Sequence, residues 1–412
     1  MMMQHKVSAI FGTHDEKTLA QLRDVAERAE RAALMADGHV GYVMPIGGVA
    51  AYENKASVVG VGFDIACGNA AIRTNLKLSQ FARQELEHFA DEIQRSIAFG
   101  VGRNNESGDA PVDDPLFSSP AWEALRDTGG RHEHDSLKAK ARSQLGTVGS
   151  GNHYVDVFAD EAGTIWVGVH FGSRGLGHTV ASGFLALSQN KKWGERVKEV
   201  EALLDLSTPL GDAYWSAMEL SGEYAYAGRE WVARHVVELL GGTEMELVHN
   251  HHNFAWKEEH DGRDLVVVRK GATPAFPGQK GFVGGSMGDD AVIVEGAREG
   301  EGDAELQKAS LYSTVHGAGR VMSRTEARGK LKGWGKKARI VSPGKVSWEM
   351  VKEWIGPQGV ILRGGGLDES PQAYRRLPDV LAAQGNTIRV LHTLRPIIVV
   401  MAGENEFDPY KD

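Results

Sequence analysis

The chain has 412 residues, of which 42% are hydrophobic, with 46 Lys and Arg against 55 Asp and Glu and a single cysteine. This composition excludes a disordered or fibrous protein, and one cysteine excludes an internal disulfide. The net charge of −9 argues against a protein that coats nucleic acid through bulk charge, so any polyanion site must be local.

The N-terminal segment has no long apolar stretch of the kind found in secretory signals. The sequence contains no run of about 18 or more apolar residues, so it predicts no membrane span. We therefore expect a cytoplasmic protein, in which the lone thiol stays reduced.

Hydrophobic periodicity predicts the first elements in chain order. A short strand precedes a helix over residues 15–34, and glycine-rich residues 37–71 are typical of strands and tight turns. A second helix is predicted over residues 79–97. Residues 105–135, rich in Pro, Asp and Ser, predict a surface loop or lid.

The rest of the chain alternates between helices and strands. A short helix is predicted at residues 136–144, a strand at TIWVGVHF and a long helix at 210–240, before a strand-rich last third. No internal repeat or composition break divides the chain. We therefore expect one large α+β domain over residues 1–412, with a C-terminal tail at 402–412.

Histidine gives the first chemical signal. Asp64 and Cys67 lie three residues apart in FDIACGN, while His88 and His235 fall inside predicted helices. Neutral imidazole is the commonest nitrogen ligand of transition metals, and thiolate and carboxylate can complete a mixed site. The histidines in turns or beside short strands are His153, His170, His249, His251, His252 and His316.

Each of these motifs also has an ordinary structural explanation. A lone buried cysteine is more often a small hydrophobe than a ligand, and HNHHN could be a polar surface turn. GSGNH, GSRGLGH and HGAGR could be plain glycine turns. Together they favour phosphate binding, because glycine turns offer backbone N–H groups and Arg174, Lys270 and Arg320 supply cations.

His316, in STVHGAGRVMSR, is a candidate nucleophile. An imidazole nitrogen can attack phosphorus to give a phosphoramidate. Taken without any resemblance, the sequence slightly favours a structural histidine that is hydrogen-bonded to the backbone.

The motifs, taken in order, resemble the RtcB family of RNA-splicing ligases. The resemblance extends over about residues 35–400, and the motifs that carry it are MADGHVGYVMPIGG, VGFDIACGN, GTVGSGNHY, VHFGSRGLGH, HHNFAWKEEH, RKGA, GGSMG, HGAGRVMSR and TLRPIIVV. It implies mixed β-sheets around a central metal and nucleotide cleft, flanked by helices. Family members join an RNA 3′-phosphate or 2′,3′-cyclic phosphate end to a 5′-hydroxyl end, using GTP and Mn²⁺.

The resemblance implies a set of metal ligands. Cys67 would bridge two Mn²⁺ ions, with Asp64 and His153 completing one site and His170 and His252 the other. The frame HNxxxxEEH selects His252 rather than the other two histidines of HNHHN.

The resemblance also implies catalytic and nucleotide-binding roles. His316 would attack the α-phosphate of GTP to form a histidine–GMP intermediate, and Asp37 would orient its imidazole. The phosphates and RNA would be held by Arg174, Lys270 and Arg320. Further nucleotide contacts would come from Asn152, Asp156, Asn253, Gly285, Ser286, Met287, Gly317, Ala318 and Gly319.

Four departures from the family pattern cluster at the predicted base contacts. Met401 stands where the family has a lysine that contacts guanine, and Asp156 replaces a glutamate. Gly284 replaces a proline and Ala291 a serine. Loss of a charged partner to the base would remove about 1.5–3 kcal/mol of binding, so we expect weaker selectivity for guanine.

The sequence supports an RNA ligase that acts in RNA repair or tRNA splicing. The resemblance also makes an archease-like activator a candidate partner. One alternative is a binuclear metallophosphodiesterase that opens cyclic phosphates or trims 3′ ends without joining them. Another is a non-catalytic module that binds RNA ends, which the net charge of −9 makes the weakest hypothesis.

Overall fold

The computed structural model describes residues 6–333, 339–404 and 406. The strands in chain order are β1 Val7–Ile10, β2 Arg31–His39, β3 Ile46–Tyr52, β4 Lys55–Ser57, β5 Gly68–Lys77, β6 Tyr154–Ala159, β7 Thr164–Phe171, β8 Leu203–Asp205, β9 Glu244–His251, β10 Asn253–His260, β11 Arg263–Lys270, β12 Ala272–Pro274, β13 Lys280–Val283, β14 Ala291–Gly296, β15 Ser313–Val315, β16 Gly329–Lys332, β17 Arg339–Pro343, β18 Ile361–Gly365 and β19 Ile388–Gly403. The α-helices are α1 Glu16–Arg28, α2 Val58–Val61, α3 Arg83–Ser96, α4 Ala121–Gly129, α5 Arg131–Gln144, α6 Arg174–Ser188, α7 Pro209–Leu239, α8 Ala304–Ala309, α9 Arg324–Arg328, α10 Trp348–Ile355 and α11 Leu377–Gln384. Short 3-10 helices occur at Leu78–Gln80, Pro115–Ser118, Gly356–Gln358, Leu367–Glu369, Pro371–Ala373 and Gly385–Thr387.

The larger sheet has the order β13-β14-β19-β6-β7-β5-β9, with β18 pairing in parallel to β19. Its other neighbours are antiparallel. The two ends of the sheet approach one another: the backbone N–H of Phe282 on β13 donates to Asn250 Oδ1 on β9 at 3.0 Å. The sheet is therefore nearly closed, and its core is divided between an inner and an outer face.

Strand β7 is buried along almost its whole length because both of its faces are covered. Val167 and Val169 pack in one core with Val232 and Val236 of α7. On the other face, Trp166 packs in a second core of buried residues with neighbouring strands. The run TIWVGVHF is apolar at nearly every position because a strand covered on both faces buries all of its side chains.

A second sheet of five strands has the order β1-β2-β3-β11-β10, and only its β1–β2 pair is parallel. One of its connections to the larger sheet is a single residue long, between β9 and β10. Strand β9 ends at His251 and β10 begins at Asn253, so His252 lies where the two sheets meet. These sheets and flanking helices confirm the predicted α+β fold class.

The predicted helix over residues 15–34 ends early, at Arg28. Ala29 is extended, with φ −87° and ψ 162°, and the Glu30 N–H donates to the carbonyl of Ala51 on β3. The stretch of alanines that follows is buried in strand β2. The prediction was wrong there because a short run of small apolar residues fits a helix or a covered strand equally well.

The prediction of a loop or lid over residues 105–135 was also wrong for much of that segment. It contains a 3-10 helix and α4, whose Trp122 and Leu125 are buried. The indole of Trp122 donates to the carbonyl of Leu116 at 3.0 Å. Scattered apolar side chains, including Phe117, anchor the segment in the main core despite its polar composition.

Most other predicted elements are confirmed. The helix expected over 79–97 is α3, that over 136–144 is α5, and that over 210–240 is α7. His88 and His235 lie in α3 and α7 as expected, whereas HNHHN is buried at a strand end rather than in a surface turn. The 402–412 tail lies mostly outside the described residues, and β19 runs on to Gly403. In the described part of the chain, no helix has the length and apolarity needed to cross a membrane.

The packing of α4 predicts a stability effect. Replacing Trp122, which is 1% exposed, with alanine should lower the free energy of unfolding by about 3–5 kcal/mol, because it leaves a cavity in the core. Chemical denaturation monitored by circular dichroism measures this. Val112→Ala, at a side chain that is 41% exposed in the same segment, is the control and should cost little. A small cost for Trp122→Ala would mean that the segment is a loose lid.

Candidate functional site

A turn between α2 and β5 places a carboxylate and the thiol beside two histidines. The Cys67 N–H donates to the carbonyl of Asp64 at 3.1 Å, and Ala66 between them has φ 61°. The Cys67 Sγ lies 3.8 Å from His153 Nε2 and 3.7 Å from His170 Nε2. His153 Nε2 is also 3.2 Å from Asp64 Oδ2. These four side chains come from three separate chain segments.

Two glycines allow this convergence. A Cβ on Gly68 would lie 2.2 Å from the carbonyl oxygen of Asn250, and one on Gly172 would lie 2.1 Å from Asp64 Oδ1. Only glycine therefore lets β5 approach β9 directly behind the thiol, and only glycine leaves room for the carboxylate.

The possible ligand atoms form two groups that share Cys67. One group is Asp64, Cys67 and His153, and the other is Cys67, His170 and His252; within each, the ligand atoms lie within 4.8 Å of one another. A thiolate between two such groups suits a bridging ligand for two transition-metal ions.

Hydrogen bonds behind the ligands fix their orientation. His170 Nδ1 donates to Asn69 Oδ1 at 2.6 Å, and His153 Nδ1 donates to the carbonyl of Val148 at 2.9 Å. These bonds turn both Nε2 atoms toward Cys67, the side from which an imidazole would bind a metal. The Nδ1 atom of His252 is buried without a hydrogen-bond partner, which also fits a cation ligand.

The electrostatics of the cluster favour a cation. Burial lowers the pKa of His170 and of His252 well below its usual value, so both imidazoles are neutral. Burial opposes ionisation of Asp64, but His153 and Arg174 outweigh it and hold the pKa of Asp64 at about 2. Burial and Asp64 raise the pKa of the Cys67 thiol. A divalent cation would reverse that shift and ionise the thiol, so the donor set fits a metal.

The other two histidines of HNHHN face away from the cluster. The buried guanidinium of Arg229 donates through Nε to His249 Nε2 at 2.9 Å and through Nη2 to His251 Nδ1 at 2.8 Å. His249 and His251 are two residues apart in β9, so their side chains lie on the same face of the strand, whereas His252 follows the end of the strand. In the described chain, only His252 of the three belongs to the two Cys67 groups.

His316 lies on the other side of His252, and their ring centroids are 4.9 Å apart. Its Nδ1 donates to Asp37 Oδ2 at 2.6 Å, and its backbone N–H donates to the same oxygen at 3.0 Å. Asp37 is fully buried, whereas His316 is partly exposed. The pair therefore favours the tautomer with the proton on Nδ1 and leaves the Nε2 lone pair available, as a nucleophile would require.

His316 and His170, a member of the second Cys67 group, line a common cavity of about 270 Å³. This cavity has room for phosphates and part of a nucleotide, and residues from both halves of the chain line it. The predicted site residues among its lining are Asn152, Asp156, His170, Gly285, Ser286, Met287, His316, Gly317, Ala318, Gly319 and Arg320.

The end of the cavity lined by Asp156 combines apolar and unpartnered polar groups. Burial raises the pKa of Asp156 well above its usual value, and its Oδ1 has no hydrogen-bond partner. The buried hydroxyl of Tyr154 also lacks one, and Met401 lies on the neighbouring strand opposite Tyr154. Gly284 lines the same cavity, whereas Ala291 is buried in an adjacent core.

An arginine pair lines the cavity near His316. The Arg320 guanidinium donates to Glu369 Oε2 at 3.1 Å and to the Tyr374 hydroxyl at 2.9 Å, and Arg324 forms an ion pair with the same glutamate. All four residues line the cavity. The carboxylate of Glu369 holds both guanidinium groups in the wall of the cavity, where they could receive an anion.

Three predicted nucleotide and phosphate contacts, Arg174, Asn253 and Lys270, are not among the residues that line the cavity. Arg174 starts α6, and its Nη1 is 3.4 Å from His153 Nδ1. Asn253 Oδ1 accepts from the Gly271 N–H at 2.7 Å. Lys270 is buried, its amine donates to the carbonyl of Val59 at 2.9 Å, and burial lowers its pKa to about 8. Because α6 begins at Arg174, the GSRGLGH motif is the start of a helix rather than a simple glycine turn.

The sequence prediction missed several residues that line the cavity, among them His39, Asn69, Arg324 and Tyr374. His39 follows the MADG segment, and burial lowers its pKa to about 4. Arg324 lies four residues after Arg320, which was the available signal. Asn69 and Tyr374 gave no such signal, because their roles depend on partners far away in the chain.

Comparisons with known proteins agree on one family. The family described as "tRNA-splicing ligase RtcB" matches residues 17–402. Relatives named "tRNA-splicing ligase RtcB" from Archaeoglobus fulgidus and Thermococcus kodakarensis are each 32% identical, over 88% and 89% of this chain and 86% of each relative. The "RNA-splicing ligase RtcB" of Escherichia coli K12 is 30% identical over 89% of both chains.

Because Cys67 belongs to both groups of possible ligands, its removal is predicted to abolish both metal sites. We expect the protein to bind two Mn²⁺ ions in isothermal titration calorimetry and Cys67→Ala to lose both, because the two groups share this residue. Co²⁺ should give a thiolate-to-metal absorption band that the variant lacks. The control is His392→Ala, which removes a member of a separate surface group with Asp160 and Glu161. Unchanged binding of two ions by Cys67→Ala would contradict the prediction.

Proposed function

The chain belongs to the RtcB family, and on that premise we propose that it is an RNA ligase that joins a 3′-phosphate or 2′,3′-cyclic phosphate end to a 5′-hydroxyl end, using GTP and Mn²⁺. The single observation that carries this proposal is the pair of His316 and Asp37 beside the metal cluster. A nucleophilic imidazole with one nitrogen held by a buried carboxylate is suited to covalent transfer of a nucleotide.

The first step forms a bond between His316 and GTP. The Nε2 lone pair attacks the α-phosphorus, the bond from that phosphorus to the bridging oxygen breaks, and pyrophosphate leaves. Asp37 keeps the proton on Nδ1 and stabilises the charge that develops on the ring, since it accepts from Nδ1 at 2.6 Å. The product is histidine–GMP.

The metal ligands of the proposal are Asp64, Cys67, His153, His170 and His252. Mn²⁺ bound there supplies neutralisation of phosphate charge. Asn69 and the Val148 carbonyl keep two of the imidazoles in the orientation that this requires.

The second and third steps join the RNA. A phosphate oxygen of the RNA 3′ end attacks the GMP phosphorus, and the bond to His316 breaks, so the 3′ end is activated. The 5′-hydroxyl of the second RNA then attacks the 3′-phosphorus and expels GMP. A cyclic 2′,3′ end must first be hydrolysed to a 3′-phosphate. Arg320 and Arg324 are the cavity cations placed to receive the RNA phosphates.

The remaining contacts of the proposal follow from the cavity. Asn152 lines the cavity and Arg174 lies beside His153, and we assign both to the phosphates, to which the GGSMG and HGAGR turns offer backbone N–H groups. Asp156 and Met401 face the base. We further propose that the chain forms a single ligase domain and works in the reducing cytoplasm on broken or spliced RNA, with an archease-like activator as a candidate partner.

The His316–Asp37 pair also favours a ligase over the two alternatives. A metallophosphodiesterase needs the metal ligands but has no use for a nucleophilic imidazole, and a passive module that binds RNA ends needs neither. The buried position of Asp37, with its Oδ2 accepting from His316, would be costly without a function.

Nucleotide labelling tests the proposal. Protein incubated with α-labelled GTP and Mn²⁺ should acquire acid-labile, alkali-stable label, because a phosphoramidate on His316 has that stability. His316→Ala should abolish the label, whereas the surface control His392→Ala should keep it. Absence of label with any of the four nucleoside triphosphates would rule out the ligase. Unchanged hydrolysis of a cyclic-phosphate RNA by His316→Ala, with no joined product from wild type, would favour the phosphodiesterase.

Base selectivity gives a second prediction. Met401→Lys should lower the KM for GTP about ten-fold relative to ATP, because it places a cation beside the base-binding end of the cavity. Labelling rates over a range of each nucleotide measure the effect. Met287→Lys makes the same change at another lining residue and should not reproduce it. Equal changes for both nucleotides in Met401→Lys would mean that this residue does not read the base.

A further inference from the structure

The β16–β17 ribbon, formed by Gly329–Lys332 and Arg339–Pro343, is a two-stranded sheet of its own. Every described residue from 330 to 333 and from 339 to 343 is exposed. Only its base is anchored: Ala327 and Val346 are buried in the same small core as Met287 and Met401. Because an isolated hairpin is marginally stable in water, this ribbon depends on its anchored base, and both of its faces are open to a partner.

The charge of the ribbon is opposite to that of the chain. Residues 328–346 contain seven Lys and Arg and no Asp or Glu, within a protein whose net charge is −9. Lys330 and Lys332 are two residues apart, and alternation places them on one face of β16, because the register shift between Lys330 and Leu331 puts its extra residue, Val341, on β17. Arg339 pairs directly with Lys332 across the ribbon and shares that face. Leu331 and Ile340 pair on the opposite face.

The cross-strand pair of Lys332 and Arg339 places two cations directly opposite each other. Such a pair destabilises a ribbon unless an anion lies between the charges. The cations at the base are already neutralised, since Arg328 forms an ion pair with Asp368 and Lys345 with Glu326. The described outer cations, by contrast, form a row with spacings of about 5–7 Å along and across the strands.

Helix α9 connects the ribbon to the nucleotide cavity. Arg324, which lines the cavity, is the first residue of α9, and that helix ends at Arg328, directly before β16. Gly329 has φ 96°, and a Cβ there would lie 2.2 Å from the carbonyl oxygen of Ser342, so the chain turns sharply into the ribbon. The four residues of β16 extend the chain about 13 Å beyond the end of α9.

We propose that the β16–β17 ribbon binds the phosphate backbone of the RNA substrate through Lys330, Lys332 and Arg339. This inference rests on the proposed ligase function and names the surface that holds the RNA outside the cavity. Charge complementarity carries it, because a polyanion relieves the repulsion between Lys332 and Arg339. Backbone contacts of this kind position RNA without reading its sequence. The ribbon therefore explains how a chain of net charge −9 retains a polyanion.

The test is a triple variant that neutralises the row, Lys330→Ala, Lys332→Ala and Arg339→Ala. Binding of a single-stranded RNA with a 3′-phosphate should weaken on the order of 30-fold at about 0.1 M salt, and the salt slope of the log binding constant should fall by about 2, since each lost phosphate contact removes about 0.7. The melting temperature should not fall, because the variant removes a like-charge pair. Binding should be measured by fluorescence anisotropy over a series of salt concentrations.

The matched control is Lys192→Ala, Arg196→Ala and Lys198→Ala, which removes the same three charges from exposed positions in the segment that follows α6. It should leave the salt slope unchanged. Equal loss in both triples would overturn the proposal in favour of a bulk charge effect, and no loss in either would overturn it outright. Labelling with GTP needs no RNA, so the ribbon variant should label as wild type does. Failure of wild type to label would contradict the ligase function, and the binding comparison would still decide the role of the ribbon.

Discussion

The structure of the site depends on a buried arginine. Arg229 of α7 is fully buried, and its Nη1 donates to the carbonyls of Ala66 and Phe171 at 2.9 and 2.6 Å. It thereby fastens the turn that carries the thiol to the strand that carries His170. Its other nitrogens bind the two histidines of β9 that face away from the cluster. Burial lowers the pKa of this guanidinium to about 10, so it is still charged at neutral pH and its positive charge must be met by these acceptors.

The two sheets meet at the same point. The backbone N–H of His252 donates to the carbonyl of Cys67 at 2.8 Å, and the Ala66 N–H donates to the carbonyl of Asn253 at 2.7 Å. This reciprocal pairing holds the turn that carries the thiol and the carboxylate against the junction that carries His252. A shift of one residue in this junction would turn His252 away and break one of the two Cys67 groups. The proposed metal ligands and the proposed nucleophile are therefore linked, since the ring of His252 also contacts that of His316.

The distribution of charge fits a protein that handles phosphate groups at few, well-defined places. Around the cavity, positive charge is paired with buried carboxylates, as in the Arg324 and Glu369 ion pair, so it is held rigidly. Outside the cavity, the exposed face of the ribbon carries cations without acidic neighbours in its own sequence. Rigid cations suit the transition state of phosphoryl transfer, whereas an exposed row suits diffusional capture of a long polyanion. The acidic remainder of the surface would limit non-productive binding of RNA elsewhere.

The sequence by itself determined the fold class, most of the long helices and the residue types of the metal cluster, because periodicity and glycine-flanked histidine motifs are local signals. It did not determine the end of α1 or the packing of α4, where burial against distant elements overrides local composition. The sequence could suggest Asp37 as the partner of His316 only by resemblance. Tertiary structure alone brought their atoms to 2.6 Å, across 279 residues of chain. Likewise, the role of Arg229 and the exposure of the basic ribbon follow from pairing between segments that no local pattern connects.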